Sequence, residues 1–362
     1  MSIPATPRTR DNALDALRGI AIVGMVLANL QGSERDAFPW IAHAAWNGLT
    51  VADLVFPMFL LAVGMSLPLA QDGREPQVGV GRIVRRALLL WLIGFGISLI
   101  AHPSIYREDM RFTGVLQRIG IVYLVCALTV RSTRTWRAPA IAAFAFLILH
   151  GVLLYLPAPG EAVASMEPGR GMSAWIDRAI LGGTRMYGGT FDPEGPLSTL
   201  SSIATAMIGV AMQRLAMRAN RPLVTWSAGA ILAAILGGLA CAWWPVNKTL
   251  WTPSFALVNA AIGLALLAAL KAAWPRIAPW PPVRRLATLG GAALTLFVVH
   301  DFVAIALGWR FGAWKLGAQV YRDILGTGIP PGCASMLYAV LAGGLSITIT
   351  LRLIRRGWTL RV

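Results

Sequence analysis

Long apolar stretches recur along the whole chain and are separated by short polar segments rich in arginine. A helix needs roughly 20 apolar residues to cross a hydrocarbon core of about 30 Å, and each stretch approaches that length. We therefore expect an all-α, polytopic membrane protein with about ten transmembrane helices. The predicted spans are Leu14–Leu30, Val51–Ala70, Ile83–Ala101, Gly114–Val130, Ala138–Leu156, Leu197–Met217, Val224–Trp244, Pro253–Lys271, Leu286–Leu307 and Cys333–Leu353.

One long polar segment, 157–196, divides the predicted helices into a group at 14–156 and a group at 197–353. It carries glycine, proline and acidic residues, and no internal repeat is visible on either side of it. We interpret 1–362 as a single transmembrane domain in which this segment is a loop outside the bilayer.

The composition agrees with a membrane protein, because 56% of the residues are hydrophobic, mean hydropathy is +0.64 and only 13% are charged. The net charge of +16 does not indicate a nucleic-acid-binding protein. The basic residues lie in short clusters between apolar stretches, and such clusters orient membrane proteins. The three cysteines show no metal-ligand spacing, so no metal is predicted.

The basic clusters also predict an orientation. They precede the first span and follow every second span after it, so we expect both termini in the cytoplasm and the segment 157–196 outside. Arginine far outnumbers lysine, a bias typical of GC-rich bacterial genomes. The expected location is therefore the inner membrane of a bacterium.

The most unusual polar positions lie in the segment His43–Pro57, at the mouth of the second span. A polar residue at membrane depth is costly and is a functional candidate by default. His43 can take and return a proton near neutral pH, which suits acid–base catalysis, although an interfacial histidine without a task is the alternative. Trp46, Asn47 and Asp53 of the same segment are candidates for contacting a substrate.

Polar residues also mark the first and fourth spans. Asp15 and Arg18 are three residues apart on one helical face, which predicts either a structural ion pair or an anion site. Gln117 and Arg118 enter the fourth span without a nearby acidic residue in sequence. Because a buried arginine needs a partner or a wet cavity, Asp53 is a candidate partner for Arg118.

Five further residues, in three segments of the chain, are candidates for substrate binding. Asp192 and Glu194 precede the sixth span, where they could instead cap the helix. Asn247 and Lys248 lie between the tryptophans of the loop that joins spans seven and eight. His300 lies within the ninth span beside an aspartate, and adjacent helical residues point in different directions, so the spacing alone does not pair them.

Five motifs, taken in order, resemble the heparan-α-glucosaminide N-acetyltransferase family of transmembrane acyltransferases. The long string HAAWNGLTVADLVFP is the most specific of them, and the order of the others adds to the resemblance. The motifs are LDALRG (Leu14–Gly19), HAAWNGLTVADLVFP (His43–Pro57), GVLQRIG (Gly114–Gly120), FDPEG (Phe191–Gly195) and VNKTLW (Val246–Trp251).

The resemblance implies an activity and its partners. Members of the family take an acyl group, typically acetyl, from cytoplasmic acyl-CoA and deliver it to a sugar amine or hydroxyl across the membrane. Acetyl-CoA is thus the expected co-substrate, a sugar or glycan the expected acceptor, and a homodimer a possible assembly. A transporter of amino sugars is the rival hypothesis, although no inverted repeat or pair of broken helices supports it.

The resemblance also implies roles for individual residues. His43 matches the active histidine of the family, and Asn29, near the outer end of the first span, matches the asparagine that assists it. Arg18 matches the arginine that is implied to bind the CoA phosphates, a task that Arg10 could share. We place Asp15, Gln117 and Arg118 with them as donor-binding candidates.

The expected chemistry has two forms. In the first, neutral His43 is the general base, Asn29 donates to the developing oxyanion, and Trp46 stacks on a sugar ring. In the second, His43 carries the acetyl group as an acetyl-imidazole. The sequence does not separate them.

Overall fold

The computed structural model describes residues 11–72, 77–101, 111–182, 185–187, 189–311 and 314–360. These parts of the chain are almost entirely helical and include one two-residue antiparallel hairpin, β1 (Arg310–Phe311) and β2 (Trp314–Lys315). The helices are α1 (Asn12–Asn29), α2 (Val51–Gln71), α3 (Val80–Ala101), α4 (Val115–Ser132), α5 (Arg137–Leu154), α6 (Gly171–Leu181), α7 (Pro196–Arg218), α8 (Pro222–Ala240), α9 (Pro253–Ile277), α10 (Pro281–Gly291), α11 (Ala293–Gly308), α12 (Leu316–Leu325) and α13 (Pro331–Arg355).

The predicted helical membrane fold is confirmed. Within the described residues, nine helices are long and apolar enough to cross a membrane, namely all except α6, α10, α11 and α12. Helices α2 and α7 are largely buried, whereas α3 and α8 expose most of their apolar side chains at the periphery. Lipid is as apolar as these exposed side chains, so the periphery is the surface that the bilayer covers.

The ninth predicted span, Leu286–Leu307, is not one straight helix. Helices α10 and α11 meet at Ala292 with a bend of 86°, and only as a bent pair do they make a tenth span. A methyl group at Gly290 would lie 1.8 Å from the carbonyl oxygen of Asp15, so α10 packs directly on the backbone of α1. The apolar pattern of this segment carries no sign of the bend, because it reports burial and not direction.

Two short helices lie where the sequence predicts only loops. Helix α6 lies inside the polar segment 157–196, and α12 lies between α11 and α13. Each has about three turns, too few to cross a bilayer, so hydropathy alone does not reveal them.

Helices α2 and α7 approach each other through small residues. A methyl group at Gly64 would lie 1.9 Å from the carbonyl oxygen of Ala206, and one at Gly209 would lie 2.3 Å from that of Leu61. Small residues at helix crossings allow such close backbone approach inside a membrane. This crossing holds α2 in the centre of the bundle.

The Gly64→Val variant is expected to be destabilised by about 1–3 kcal/mol or more, because its side chain would overlap the backbone of α7. Gly96→Val in α3 is the matched control, since no atom lies within 4 Å of a methyl group there. Thermal unfolding in detergent compares the two variants with the wild type. Equal midpoints for Gly64→Val and Gly96→Val would contradict the packing.

Candidate active site

Two loops at the same end of the bundle are joined by asparagine contacts. The loop before α2 and the loop between α8 and α9 form one antiparallel bridge at Asn47 and Asn247. Asn247 Nδ2 donates to Asn47 Oδ1 over 3.0 Å, and the backbone N–H of Gly48 donates to the Val246 carbonyl over 2.8 Å. The amide of buried Asn247 therefore fixes the position of one loop against the other.

This junction brings His43, Asp53 and Lys248 together, and we call these three residues the histidine cluster. His43 Nδ1 lies 2.8 Å from Asp53 Oδ1. The other oxygen of Asp53 accepts from the Ala44 N–H over 3.1 Å and from the Thr50 hydroxyl over 3.0 Å. It also accepts from the Thr50 backbone N–H over 3.2 Å, which is a capping contact of α2. A carboxylate only accepts hydrogen bonds, so Asp53 places the proton on Nδ1 and leaves Nε2 as the basic nitrogen.

The side chains of the histidine cluster differ in exposure. The imidazole of His43 is 45% exposed, whereas the carboxylate of Asp53 is 1% exposed. Lys248 Nζ lies 2.9 Å from His43 Nδ1, 3.2 Å from His43 Nε2 and 3.4 Å from Asp53 Oδ1. Burial lowers the pKa of the Lys248 ammonium, and the nearby carboxylates of Asp53 and Glu194 oppose that shift. A solvent molecule or an acceptor can thus reach His43 while its partners stay enclosed.

A cavity of about 940 Å³ runs along the inner faces of α1, α2 and α4. This volume lies at the upper end of the range of about 300–1,000 Å³ that is typical of ligand sites. Charged side chains lie at one end of this long cavity, where Asp15 and Arg18 form an ion pair of 3.2 Å. Mostly apolar side chains line the rest of the cavity. Lining residues include Asp11, Asp15, Arg18, Ile22, Met25, Phe56, Phe59, Val63, Ser66, Leu67, Asp72, Arg86, Val115 and Phe297.

The long cavity ends close to the histidine cluster without including it. Phe56 lines the cavity and lies one helical turn after Asp53 on α2. Its ring packs edge-to-face against Trp251 at 5.3 Å, and Trp251 belongs to the loop that carries Lys248. From Ser66 back to Asp53, α2 rises by roughly 20 Å. The contact between Phe56 and Trp251 therefore connects the cavity lining to the loop that carries Lys248.

Arg118 does not pair with Asp53, contrary to the sequence interpretation. Its guanidinium donates to the Pro193 carbonyl over 2.7 Å and to the Ser198 hydroxyl, and it stacks on Trp251 at 5.0 Å. Both Arg118 and Gln117 are buried on α4 outside the cavity lining, although their neighbour Leu116 lines it. Their roles in donor binding stay predictions.

Asp192 and Glu194 share an arginine that the sequence analysis does not single out. Arg111 Nη2 donates to Asp192 and to Glu194, in both cases over 2.8 Å. The capping alternative is wrong, because the N-cap of α7 is Gly195 and no side chain caps that helix. Arg111 is separated from this motif by about eighty residues, so neither spacing nor hydropathy reveals the contact.

Trp46 contacts Phe191, the first residue of the FDPEG motif that contains Asp192 and Glu194. Its ring packs against Phe191 at 5.3 Å, and its indole N–H donates to the Met166 carbonyl over 2.8 Å. The half-buried indole thus joins the first loop to the segment around α6. Its predicted contact with a sugar ring remains a prediction.

Asp177 of α6 gives this region a pH dependence. Burial raises the pKa of its carboxyl to about 7, and the charge of Asp192 adds to that shift. The backbone N–H of Asp192 and the charges of Arg118 and Arg178 act in the opposite direction. A folded-state pKa above the unfolded value favours folding at low pH, and this contribution is lost as pH rises from about 4 towards about 7.

The Asp177→Asn variant is expected to lose that dependence. Its advantage in thermal stability over the wild type should grow between pH 5 and pH 8 and reach the order of a few kcal/mol. Asp323→Asn, at an exposed position of α12, is the control. Unfolding midpoints measured in detergent across this range check the prediction, and parallel curves for Asp177→Asn and the wild type would contradict it.

Among the described residues, no hydrogen bond joins the remaining candidates to the histidine cluster. Asn29 is the last residue of α1 and is exposed, and none of the hydrogen bonds found among the described residues joins it to His43. His300 is buried on α11, where its Nδ1 lies 3.1 Å from Asp301 Oδ1 and 3.3 Å from the carbonyl oxygen of Phe297. It lies one turn after Phe297, which lines the long cavity. Arg10 lies outside the described residues.

Comparisons with known proteins agree with the resemblance seen in the motifs. Residues 10–162 match the family described as heparan-alpha-glucosaminide N-acetyltransferase, catalytic. The human (Homo sapiens) heparan-alpha-glucosaminide N-acetyltransferase is 30% identical over 335 residues, which cover 73% of this chain and 48% of that protein. The mouse (Mus musculus) protein of the same name is 30% identical over 319 residues, or 70% of this chain and 48% of its own length. The chain thus spans about half the length of these relatives.

Proposed function

Starting from this confirmed kinship with the heparan-alpha-glucosaminide N-acetyltransferases, we propose that the protein is a transmembrane acetyltransferase. It moves an acetyl group from acetyl-CoA to an amine or hydroxyl of a sugar or glycan on the opposite side of the membrane. The observation that carries the proposal is the long cavity, which runs from the Asp15–Arg18 pair to Phe56, one helical turn from Asp53.

The chemistry of the cavity lining fits acetyl-CoA. Arg18 and Arg86 supply guanidinium groups for phosphate oxygens at the charged end, and Asp15 holds the side chain of Arg18 in place. Ile22, Met25 and other apolar side chains cover the passage beyond and suit the pantetheine arm. Arg10, Gln117 and Arg118 remain proposed donor ligands. No charged nucleotide has to cross the bilayer in this arrangement.

The transfer itself takes place at His43. The acceptor nitrogen or oxygen attacks the thioester carbonyl while His43 Nε2 takes its proton. The carbon–sulfur bond then breaks, and the same proton passes to the leaving sulfur, which gives CoA thiol and an acetylated acceptor. Asp53 fixes the imidazole and stabilises its charged form, and Asn29 is a proposed donor to the oxyanion. An acetyl-imidazole on His43 is the two-step version, which trapping a labelled protein from acetyl-CoA alone would reveal.

The acceptor approaches from the exposed side of His43. Trp46 offers a ring face for a sugar, and Asp192 and Glu194 are proposed polar contacts near it. His300, buried on α11, stays a proposed substrate-binding residue. Asn47 and Asn247 act mainly through each other, because their amides bind across the loop junction.

The basic residues support an orientation for the reaction. The end of the bundle that carries Arg18 and Arg86 also carries Arg131, Arg214 and Arg218 at helix ends. We place this end in the cytoplasm of a bacterial inner membrane and the histidine cluster outside. A homodimer is the assembly that the family suggests.

Radiolabelled acetyl-CoA and a panel of amino sugars, incubated with the purified protein in detergent, test the proposal. We expect acetylated sugar, CoA thiol in equal amount, and thermal stabilisation of the protein by acetyl-CoA. The rival transporter predicts instead that labelled amino sugar enters proteoliposomes and that acetyl-CoA has no effect on unfolding. No transfer and no stabilisation would rule out the acetyltransferase.

A further inference from the structure

Lys248 is the residue whose position the proposed reaction does not yet use. Its ammonium nitrogen lies within hydrogen-bond distance of both imidazole nitrogens of His43, at 2.9 Å and 3.2 Å. It lies 3.4 Å from Asp53 Oδ1, and its side chain is 24% exposed. The acceptor gives its proton to His43 while it attacks the thioester carbonyl. A group that contacts His43 can therefore also reach the oxygen of that carbonyl.

The surroundings hold this ammonium firmly. The preceding residue, Asn247, is 0% exposed and donates a hydrogen bond to Asn47. Trp251, three residues after Lys248, packs between the rings of Phe56 and Phe255. An ammonium carries three N–H donors, and one of them suits Asp53 Oδ1 at 3.4 Å. His43 accepts none during the transfer, because its Nδ1 carries a proton towards Asp53 and its Nε2 receives the proton of the acceptor. A preorganised cation with a further donor is the arrangement that stabilises negative charge as it develops on an oxygen.

We propose that Lys248 is the electrophilic catalyst of the transfer, an inference that rests on the proposed function. As the acceptor attacks, the carbonyl π electrons move to the thioester oxygen, and the Lys248 N–H donates to that oxyanion. When the carbon–sulfur bond breaks, the carbonyl reforms and Lys248 keeps its proton, so His43 alone transfers the proton of the acceptor. The charge of Lys248 therefore acts in the transition state more than on bound acetyl-CoA.

Two other roles would give different results. A lysine that only anchors the loop would affect folding. In that case both the Lys248→Arg and the Lys248→Met variant would be less stable than the wild type. A lysine that only binds the acceptor would change the KM for the acceptor and leave the binding of CoA derivatives unaffected. An oxyanion donor is distinguished by its preference for negative charge at the position of the acetyl oxygen.

Two stable CoA thioethers measure that preference. S-carboxymethyl-CoA carries a carboxylate, and S-acetonyl-CoA carries a neutral ketone, each one methylene beyond the sulfur and therefore next to the position of the acetyl carbonyl. Dissociation constants are measured by titration calorimetry in detergent for the wild type and for the Lys248→Met and Lys248→Arg variants. Lys315→Met is the matched control, since Lys315 is exposed before α12.

The wild type is expected to bind S-carboxymethyl-CoA about tenfold or more tightly than S-acetonyl-CoA, because charge-assisted hydrogen bonds are the stronger ones. Lys248→Met should lose the preference, and Lys248→Arg and Lys315→Met should keep it. With glucosamine as the probe acceptor, Lys248→Met should lower kcat by about 10²–10³ and leave KM nearly unchanged.

The remaining outcomes separate the two proposals. If the wild type binds both thioethers equally, or if Lys248→Met keeps the preference, the role of Lys248 is wrong while the donor site stands. A rise in KM without a fall in kcat would also overturn the role of Lys248. If neither thioether nor acetyl-CoA binds, the proposed function itself fails.

Discussion

The His43→Ala variant is expected to transfer acetyl groups about 10²–10⁴ times more slowly than the wild type, because it lacks the general base. The histidine cluster contains no other neutral nitrogen base that Asp53 orients, so loss of the imidazole leaves no substitute. The rate is measured with radiolabelled acetyl-CoA and glucosamine in detergent. If His43 carries the acetyl group, the labelled intermediate disappears as well.

Donor binding is the control for His43→Ala. The imidazole lies outside the lining of the long cavity, so acetyl-CoA should stabilise the variant against thermal unfolding as it does the wild type. Transfer at the wild-type rate would remove His43 from the mechanism. Loss of both transfer and stabilisation would indicate a folding defect and would call for the milder His43→Gln change.

The Val63→Trp variant is expected to lose transfer by at least about 10²-fold, because an indole would fill the middle of the long cavity. Val63 lies on α2 between the charged end and Phe56, and it touches no member of the histidine cluster. The pantetheine arm could then no longer present the thioester to His43. Transfer rates and stabilisation by acetyl-CoA are both measured.

Val340→Trp is the matched control for this variant. Val340 is 49% exposed on the periphery of α13, where a bilayer or detergent accommodates an indole. Val340→Trp should keep both activity and donor binding, and Val63→Trp should lose both while its unfolding midpoint in the absence of donor stays close to that of the wild type. Full activity in Val63→Trp would show that acetyl-CoA does not occupy this cavity.

The sequence predicts the helices better than their directions. Apolar runs of about 20 residues predict ten spans, because a bilayer demands that length of every helix that crosses it. Nine of them are single membrane-length helices in the described part of the chain. The apolar pattern does not predict the bend at Ala292, because the bend accompanies the packing of Gly290 on the backbone of α1. The apolar pattern also does not predict the short helix α6, because that helix is too short to span a bilayer and its buried face packs on residues distant in sequence.

The sequence also predicts the candidate site only in part. It singles out His43, Asp53 and Lys248 one by one, from polarity at the mouth of a span and from the motifs. It does not reveal that Lys248 contacts His43, because about two hundred residues separate them and the Asn47–Asn247 junction that joins their loops is a tertiary feature. Arg111 is missed for the same reason, and Arg118 finds backbone carbonyls where a carboxylate is predicted.

Transfer across a sealed membrane tests the central claim most directly. Proteoliposomes enclose glucosamine, radiolabelled acetyl-CoA is added outside, and protease accessibility reports which end of each protein faces outward. Molecules whose Arg18 end faces outward should produce acetylated glucosamine inside the vesicles while CoA thiol appears outside. Product that forms only when donor and acceptor share one side of the membrane would contradict a reaction carried through the bundle.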